Sequence, residues 1–501
     1  MKVKIKKLLI SKNIFIGVLI SLAFFVRIYR VDQLLGFYFD QGRDAMVIWK
    51  LWNEGKLFLI GPVTGLAGIF LGPLYYYLIA PFYLIGGGNP VYPAVFLGFL
   101  STIAVYLLYL LGTKMHSKEA GFFALIISSI SYYIVLASRW LANPTPILLS
   151  SVVLLWSMWE IVQKGKKFWW YILALMAGLS LQFEAAGAVF YFPMVLVFIL
   201  WQRKNLPEAK TILVFFSIFF ATLLPQIVFN FRHENILING FLNQFVKEKS
   251  FSPDFWSVLP KRADYFWSVF NSKIFPELPK YAAFFFSFAF VALLAARKKL
   301  IKILTLFLIF LGAPIFGITL FQGNFGNIYD YYMTGYYLPF ILLFSIGLSE
   351  VWKNKFGKLI VILFFILFIQ RNWVLVKNYI GAGIDGPTHI SLGNELSAVD
   401  WIFKDAAKRG ERFNVDVYVP PVIPHSYDYL LLWQATSRCP ENLCGLESQK
   451  RVKILYTLYE VDPPHPERLE AWLARQKGIG KVVDEIVFSG ITVQRRERYE
   501  K

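Results

Sequence analysis

The stretch "NIFIGVLISLAFFVRIYRVDQLLGFYFDQGRDAMVIWKLW", residues 13–52, decides the fold. It joins a long apolar run to a short polar segment that holds two aspartates and an arginine. The run is long enough to cross a hydrocarbon core, which requires about 20 helical residues. "VRIYRVDQ" is typical of a chain leaving the membrane, and no small-residue cleavage site follows it. We therefore expect an uncleaved first membrane helix and then an acidic external segment.

The rest of the chain repeats the apolar pattern. Its 501 residues are 57% hydrophobic and 17% charged, with a mean hydropathy of +0.52, which is too apolar for ordinary water-soluble domains. Because the run at 168–201 is long enough for two short helices, the sequence predicts a mainly α, polytopic membrane protein with roughly eleven spans. The apolar runs lie at 8–29, 91–112, 119–137, 145–163, 168–201, 211–229, 280–296, 302–321, 332–350 and 358–376.

The net charge of +19 does not come from one basic arm, and this argues against a nucleic-acid partner. The basic residues punctuate the spans instead, as in "KVKIKK" at 2–7, "KGKK" at 164–167 and "RKK" at 297–299. By the positive-inside rule these loops and the N-terminus are cytoplasmic. Residues 30–90, 138–144, 182–185, 230–279, 322–331 and the chain after 377 are then external. Short loops and the lack of a retention signal favour a prokaryotic plasma membrane.

The sequence changes character near residue 377. Helical patterns near 394–409 and 466–476 alternate with β-type runs "FNVDVYV", "RVKILYTLY" and "VVDEIVFSGITVQRRE". We predict a transmembrane domain over 1–376 and an external α/β domain over 377–501. Cys439 and Cys444 fall in this external part, where they form a disulfide or stay free thiols. A zinc half-site lacks a second Cys or His pair at ligand spacing.

The acidic segment after the first span has two compatible interpretations. Apolar residues that follow Asp40 suit a helix lying on the membrane surface, so the first external loop is interfacial or re-entrant. In the simpler interpretation Asp40 is the N-cap of this helix, and Asp44 is solvated in its first turn. A carboxylate in that place is also well positioned to meet a lipid headgroup.

Longer motifs favour a functional role for this loop. "DQGRDA" at 40–45 is followed by "GPVT" at 61–64 and "GPLYYYL" at 72–78; "SRWLANPTP" at 138–146, "GLSLQFEAAGAVFYFP" at 178–193 and "FNFRHENIL" at 229–237 come later. In this order they resemble the C-type membrane glycosyltransferases, in the branch of protein O-mannosyltransferases and lipid A aminoarabinose transferases, over about residues 10–350. The resemblance implies a polyprenyl-phosphate sugar donor, inversion, and Asp40 as the base.

The residue types suit this chemistry. An acceptor hydroxyl that attacks an anomeric carbon must lose its proton, and a carboxylate within hydrogen-bond reach can take it. The departing lipid phosphate requires positive charge, preferably from arginine. Candidates in external loops near membrane exits are Arg139, Arg232 and His233, whose alternative role is interfacial anchoring. Arg43 is a further candidate, or it tunes Asp40 through its charge, and Asp44 is expected to bind substrate hydroxyls.

Two more acidic residues are candidates for substrate binding. Glu184 falls in the turn between two short spans, where relatives often carry histidine, and an ionisable group near membrane depth indicates function. Asp330 in "QGNFGNIYDYY" contacts donor or acceptor, or else is a solvated turn residue. "LANP" lacks an acidic residue that some relatives place there. A divalent metal is therefore not supported by a ligand cluster.

The sequence thus predicts a glycosyltransferase that moves a hexosyl or pentosyl group from a polyprenyl-phosphate donor to a glycan, lipid or protein acceptor outside the membrane. A multispan transporter or flippase is one alternative, but acidic residues here avoid the span centres and gather in loops on one side. A non-enzymatic envelope scaffold that binds partners through its external part is the other.

Overall fold

The computed structural model describes residues 2–64, 68–243, 255–321, 328–381, 390–420, 423–439 and 443–499. Within these ranges, seventeen α-helices precede residue 382, and three α-helices and four strands follow it. The first group is α1 Lys2–Ile28, α2 Val31–Leu34, α3 Phe39–Glu54, α4 Leu74–Ile85, α5 Val91–Met115, α6 Lys118–Ile130, α7 Tyr132–Arg139, α8 Ile147–Val162, α9 Phe168–Phe183, α10 Tyr191–Trp201, α11 Ala209–Arg232, α12 Ile236–Leu242, α13 Phe255–Ser272, α14 Pro279–Ala295, α15 Arg297–Leu320, α16 Thr334–Val351 and α17 Lys355–Gly381. The second is α18 Leu392–Arg409, β1 Phe413–Tyr418, α19 His425–Arg438, β2 Ile454–Glu460, α20 Pro466–Lys477, β3 Gly480–Phe488 and β4 Ile491–Arg498.

The helices before residue 382 confirm a polytopic membrane fold. Within the described ranges, 6 helices are long and apolar enough to cross a membrane, and α6 with α7 makes a seventh, bent candidate. Shorter apolar helices α8, α9, α10 and α14 lie where the sequence predicts further spans. The remaining short one, α4, lies with the polar helix α3 in the first loop, the segment between α1 and α5 that the sequence predicts to be external.

The predicted span at 119–137 is bent by 63° between α6 and α7. Backbone groups freed by such a break require new partners in an apolar environment. The Tyr132 amide donates to Asn372 Oδ1 at 2.9 Å, and the Ser131 hydroxyl donates to the Lys273 carbonyl at 2.6 Å. The break is therefore built into the packing of three separate chain segments.

Helices also occupy part of the region that the sequence predicts as a long external loop. α11 continues to Arg232, and α12 and α13 follow it within 230–279. Pro260 lies inside α13, and a proline there weakens the helical signal in the sequence. Residues 244–254 of this loop lie outside the described part.

The predicted α/β character of the C-terminal part is confirmed by a four-stranded sheet of order β1-β2-β4-β3. β1 and β2 pair in parallel, whereas β4 is antiparallel to β2 and β3. α19 was not expected from the sequence. α17 extends past residue 377 to Gly381, so the boundary at 377 stays a prediction. Cys439 and Cys444 form a disulfide just after α19.

The C-terminal part packs on the first loop through α3 and α19. A Cβ on Gly42 of α3 would lie 2.3 Å from the backbone carbon of His425, so only glycine permits this approach. The rings of Phe39 and His425 stack at 5.1 Å, and the Trp433 indole donates to the Gly87 carbonyl at 2.7 Å. These contacts fix the orientation of the helix that begins at the predicted catalytic segment.

Candidate active site

A cavity of about 610 Å³ opens beside the first turn of α3. It lies between the first loop, the segment after α7, the turn after α9 and the segment before α16. Its described lining is mostly apolar, with four charged side chains. The charged members are Asp40, Arg43, Asp44 and Glu184.

Asp40 lies in the first turn of α3 but is not the helix cap. Tyr38 occupies the N-cap position, and its backbone N–H donates to Gln41 Oε1 at 3.0 Å. The interpretation of Asp40 as the N-cap is therefore wrong, because Gln41 already reaches back to the start of the helix. The Asp40 side chain is 58% exposed and contacts Arg43 Nη1 at 2.8 Å.

Arg43 connects the two aspartates of the motif. Its Nε and Nη2 donate to Asp44 Oδ1 at 2.9 and 2.7 Å, while Nη1 contacts Asp40. Tyr76 of α4 donates its hydroxyl to the same Asp44 oxygen at 2.9 Å. Asp44 is thus buried and hydrogen-bonded through Oδ1, which contradicts its interpretation as a solvated first-turn residue. The i, i+3 and i, i+4 spacing puts all three charges on one helix face.

Burial raises the pKa of Asp44 to about 6, although the Arg43 charge and the hydrogen bonds from Arg43 and Tyr76 oppose this shift. The carboxylate therefore remains ionised at neutral pH and becomes protonated in mildly acidic conditions. When it is ionised, Arg43 is held between both aspartates.

Glu184 is placed where the sequence predicts it, in the turn after α9 and in the cavity lining. Its carboxylate accepts backbone N–H groups from Ala186 at 2.5 Å, Gly187 at 2.6 Å and Ala188 at 3.2 Å. It thereby caps the short helical turn that leads into α10. Burial raises the pKa of Glu184 to about 7, against the effect of these three hydrogen bonds, which favour the ionised form.

Aromatic side chains that were not among the candidate site residues form one wall of the cavity. Trp140 and Tyr331 contact edge to face at 5.6 Å, and Tyr332 lies beside them. Asn143 donates to the Phe183 carbonyl at 2.5 Å and also lines the cavity. Trp140 and Asn143 belong to "SRWLANPTP", and Tyr331 and Tyr332 follow Asp330, so the motifs pointed to these segments.

Arg139 is buried away from the cavity lining. Its Nη1 donates to the carbonyls of Val26 and Tyr29 at 3.0 Å each, and its guanidinium lies 5.2 Å from the Tyr379 ring. These contacts join α7 to the first span and to α17. Its predicted role as a phosphate ligand is not tested by this geometry and stays a prediction.

Arg232, His233 and Asp330 also lie outside the described lining. Arg232 is exposed at the end of α11, and His233 stacks on Phe229 at 4.0 Å. Asp330 instead pairs with the buried Lys273 at 2.9 Å. Their predicted contacts with substrate stay predictions. Within the described ranges, no three His, Cys, Asp or Glu side chains form a group that could hold a metal.

Comparison with known proteins places this geometry in context. The family model described as dolichyl-phosphate-mannose-protein mannosyltransferase matches residues 71–229. ArnT from Cupriavidus metallidurans bound to undecaprenyl phosphate superposes with a TM-score of 0.59 at 11% identity, over 97% of this chain and 98% of that one. The chain has the fold of the C-type membrane glycosyltransferases.

Two archaeal structures extend the similarity to this C-type fold. The Archaeoglobus fulgidus oligosaccharyltransferase in its apo form gives a TM-score of 0.54 at 14% identity, over 84% of this chain and 64% of that one. AglB from the same organism, in complex with an inhibitory peptide and a dolichol-phosphate, gives 0.50 at 12% identity, over 96% of this chain and 74% of that one. No curated protein matches the sequence. The resemblance seen in the sequence motifs is confirmed at the level of the fold.

Proposed function

We propose that the protein transfers a sugar from a polyprenyl-phosphate donor to an acceptor hydroxyl on the external face of the membrane. The observation that carries this proposal is the position of Asp40, an exposed carboxylate at a 610 Å³ cavity and 2.8 Å from Arg43. The family-model match to mannosyltransferases over residues 71–229 supports the same class of reaction.

Asp40 is the proposed general base. Arg43 contacts its Oδ1, and we assign the other carboxylate oxygen, Oδ2, to the acceptor hydroxyl. As the hydroxyl oxygen bonds to the anomeric carbon, its proton passes to the carboxylate, and the bond from that carbon to the phosphate oxygen breaks. The electron pair leaves with the polyprenyl phosphate. A single displacement of this kind inverts the anomeric configuration.

Arg43 is the proposed partner of the leaving phosphate. A guanidinium has five N–H groups, and three of them face Asp40 and Asp44, so two remain for phosphate oxygens. The start of α3 and the segment before α8 also line the cavity, and helix N-termini favour anions. We assign this role to Arg43 rather than to Arg139 or Arg232. Of these three arginines, only Arg43 belongs to the described lining of the cavity.

The shape of the site suits an amphipathic donor. Apolar side chains from the first loop, α9 and α12 also line the cavity, as a polyprenyl chain requires. The fold relatives solved with undecaprenyl phosphate and with dolichol-phosphate support a donor of this class. The sugar, hexosyl or pentosyl, and the glycan, lipid or protein acceptor are to be found with a panel of donors and acceptors.

The test is transfer of labelled sugar from such donors by the purified protein. Asp40→Asn keeps the size and shape of the side chain but removes the base, and losing a positioned general base costs about 10²–10⁴-fold in rate. Asp32→Asn is the matched control, because Asp32 is exposed in the same external segment and lies outside the lining. We expect the control to transfer sugar at the wild-type rate.

Three outcomes would overturn the proposal. Transfer at the wild-type rate by Asp40→Asn would remove Asp40 as the base and direct the search to Glu184 or Asp330. Lipid translocation with no transfer from any donor would favour a flippase. The absence of both transfer and translocation would favour a scaffold.

A further inference from the structure

A second cavity, of about 530 Å³, lies at the other end of helices that line the first. α8 follows Pro144, which lines the first cavity, and ends at Val162, which lines the second. α15 runs in the opposite direction, from near Lys302 in the second lining to Phe321 in the first. The 16 residues of α8 span about 24 Å at a rise of 1.5 Å per residue. The second cavity is therefore on the opposite side of the helical core from Asp40.

Cations from three separate segments converge on this cavity. One cation follows α8, two follow α10, and one lies near the start of α15. All four side chains are exposed. They are Lys164, Arg203, Lys204 and Lys302. Among the described residues, none of these four forms an ion pair. The neighbouring Lys167 differs, because it pairs with Glu208 at 3.7 Å. No carboxylate appears in the described lining, so none balances these charges within the cavity.

The rest of the lining consists of two amide side chains, Gln202 and Asn205, and an apolar wall. Val162, Leu200 and Trp201 lie beside the cations, and Leu200 is 67% exposed on the outer surface of the helical core. A free phosphate gains nothing from such a wall, whereas a lipid can place its acyl chain along Leu200 while its headgroup meets the cations. Basic pockets between membrane helices bind anionic headgroups in this way.

We propose that this cavity binds the headgroup of an anionic phospholipid from the leaflet that faces it. The site takes no part in sugar transfer, since the whole length of α8 separates it from Asp40. It holds together the ends of α8, α10 and α15, three helices that also reach the active-site cavity. Binding of the lipid is therefore expected to stabilise the fold.

Native mass spectrometry of the full-length protein, released from micelles with phosphatidylglycerol or phosphatidylcholine, tests this proposal. A cation near an anionic lipid surface contributes about fivefold to affinity. We expect the wild-type protein to retain phosphatidylglycerol preferentially. The variant Lys164→Gln/Arg203→Gln/Lys204→Gln/Lys302→Gln should lose this preference by at least ~10-fold.

The matched control neutralises four other exposed cations on the same side, outside the lining, by Lys166→Gln/Lys210→Gln/Lys298→Gln/Lys299→Gln. It should change the preference less than ~2-fold, since these charges act only diffusely. Equal lipid retention by both four-residue variants would overturn the proposal. So would displacement of the lipid by millimolar inorganic phosphate, which would show a soluble-anion site. If the first variant fails to fold, Lys302→Gln alone should reduce the preference about fivefold.

Discussion

Asp44 lies one helical turn beyond Asp40, yet the two carboxylates have different surroundings. The side chain of Asp40 is 58% exposed, whereas that of Asp44 is 5% exposed and accepts hydrogen bonds from Arg43 and Tyr76. We infer that Asp44 is a positioning residue. It holds the guanidinium that contacts the proposed base, so its ionisation state controls the geometry of both.

This dependence predicts a pH effect that can be measured through Tyr76. Burial raises the pKa of Asp44 to about 6, and the Tyr76 hydroxyl opposes that shift. Tyr76→Phe removes this hydrogen bond, so the pKa rises further and Asp44 takes up its proton at a higher pH. Because Arg43 is released when Asp44 is protonated, activity should be lost earlier as the pH falls. A bond worth about 1 kcal/mol should move the acidic limb of the pH–rate profile upward by ~0.5–1 unit.

Tyr75→Phe is the control for this measurement. Tyr75 is adjacent and equally buried, but its hydroxyl has no hydrogen-bond partner among the described residues. Its variant should keep the wild-type acidic limb. An unshifted limb in Tyr76→Phe, at normal expression, would show that Asp44 does not control the profile.

For individual residues, the sequence predicted which side chains lie together better than it predicted their burial and contacts. The spacing of Asp40, Arg43 and Asp44 indicated one helix face, and the structure confirms it. Burial of Asp44 could not be predicted from the sequence, because it depends on the packing of α4 against α3. Likewise Tyr76 was one of three consecutive tyrosines in "YYY", and only packing shows which one reaches the carboxylate.

α3 is positioned by an element more than 370 residues later in the chain. α19 approaches it so closely at Gly42 that a Cβ would lie 2.3 Å from two backbone atoms, the carbon of His425 and the nitrogen of Ser426. Backbone cannot move aside as a flexible side chain can. The proposed catalytic helix therefore has its orientation set by the C-terminal part.

Gly42→Ala should displace α19 from α3. Overpacking of this kind costs about 1–3 kcal/mol, so we expect a lower free energy of unfolding and a loss of transfer activity of at least ~10-fold, because Asp40 moves with the helix. Gly17→Ala is the control, since a Cβ at Gly17 has nothing within 4 Å. Thermal unfolding and transfer assays check both variants. Wild-type stability and activity in Gly42→Ala would show that the contact does not position α3.

Of the three late helices, α18 and α20 were predictable because each has one buried and one exposed face. The strands were predictable from their β-branched and aromatic residues, since β2 is buried along almost its whole length and β3 is mostly exposed. α19 was missed for a physical reason: it is packed between α3 and α18, and its buried side chains, among them Tyr427, Leu430 and Trp433, cover several faces. A helix buried on several sides lacks the regular polar contrast that indicates a surface helix. The break between α6 and α7 was missed similarly, because its partners Asn372 and Lys273 are distant in sequence.

The two ends of the helical core differ in the charges of their cavities. The cavity with three carboxylates lies at one end of α8, and the cavity with four cations lies at the other. Basic loops such as "KGKK" belong to the second end. If that end is cytoplasmic, by the positive-inside rule, the proposed active site and the C-terminal part face outward.

Thiol labelling in intact cells tests this orientation. The described cysteines are disulfide-bonded, so an introduced cysteine provides the reactive thiol in a wild-type background. Lys56 and Lys481 are exposed in segments assigned to the outside, so Lys56→Cys and Lys481→Cys should react with an impermeant maleimide. Lys166 and Lys298 are exposed on the basic side, so Lys166→Cys and Lys298→Cys should react only after the cells are permeabilised. The reverse pattern would place Asp40 in the cytoplasm and require a donor from the inner leaflet.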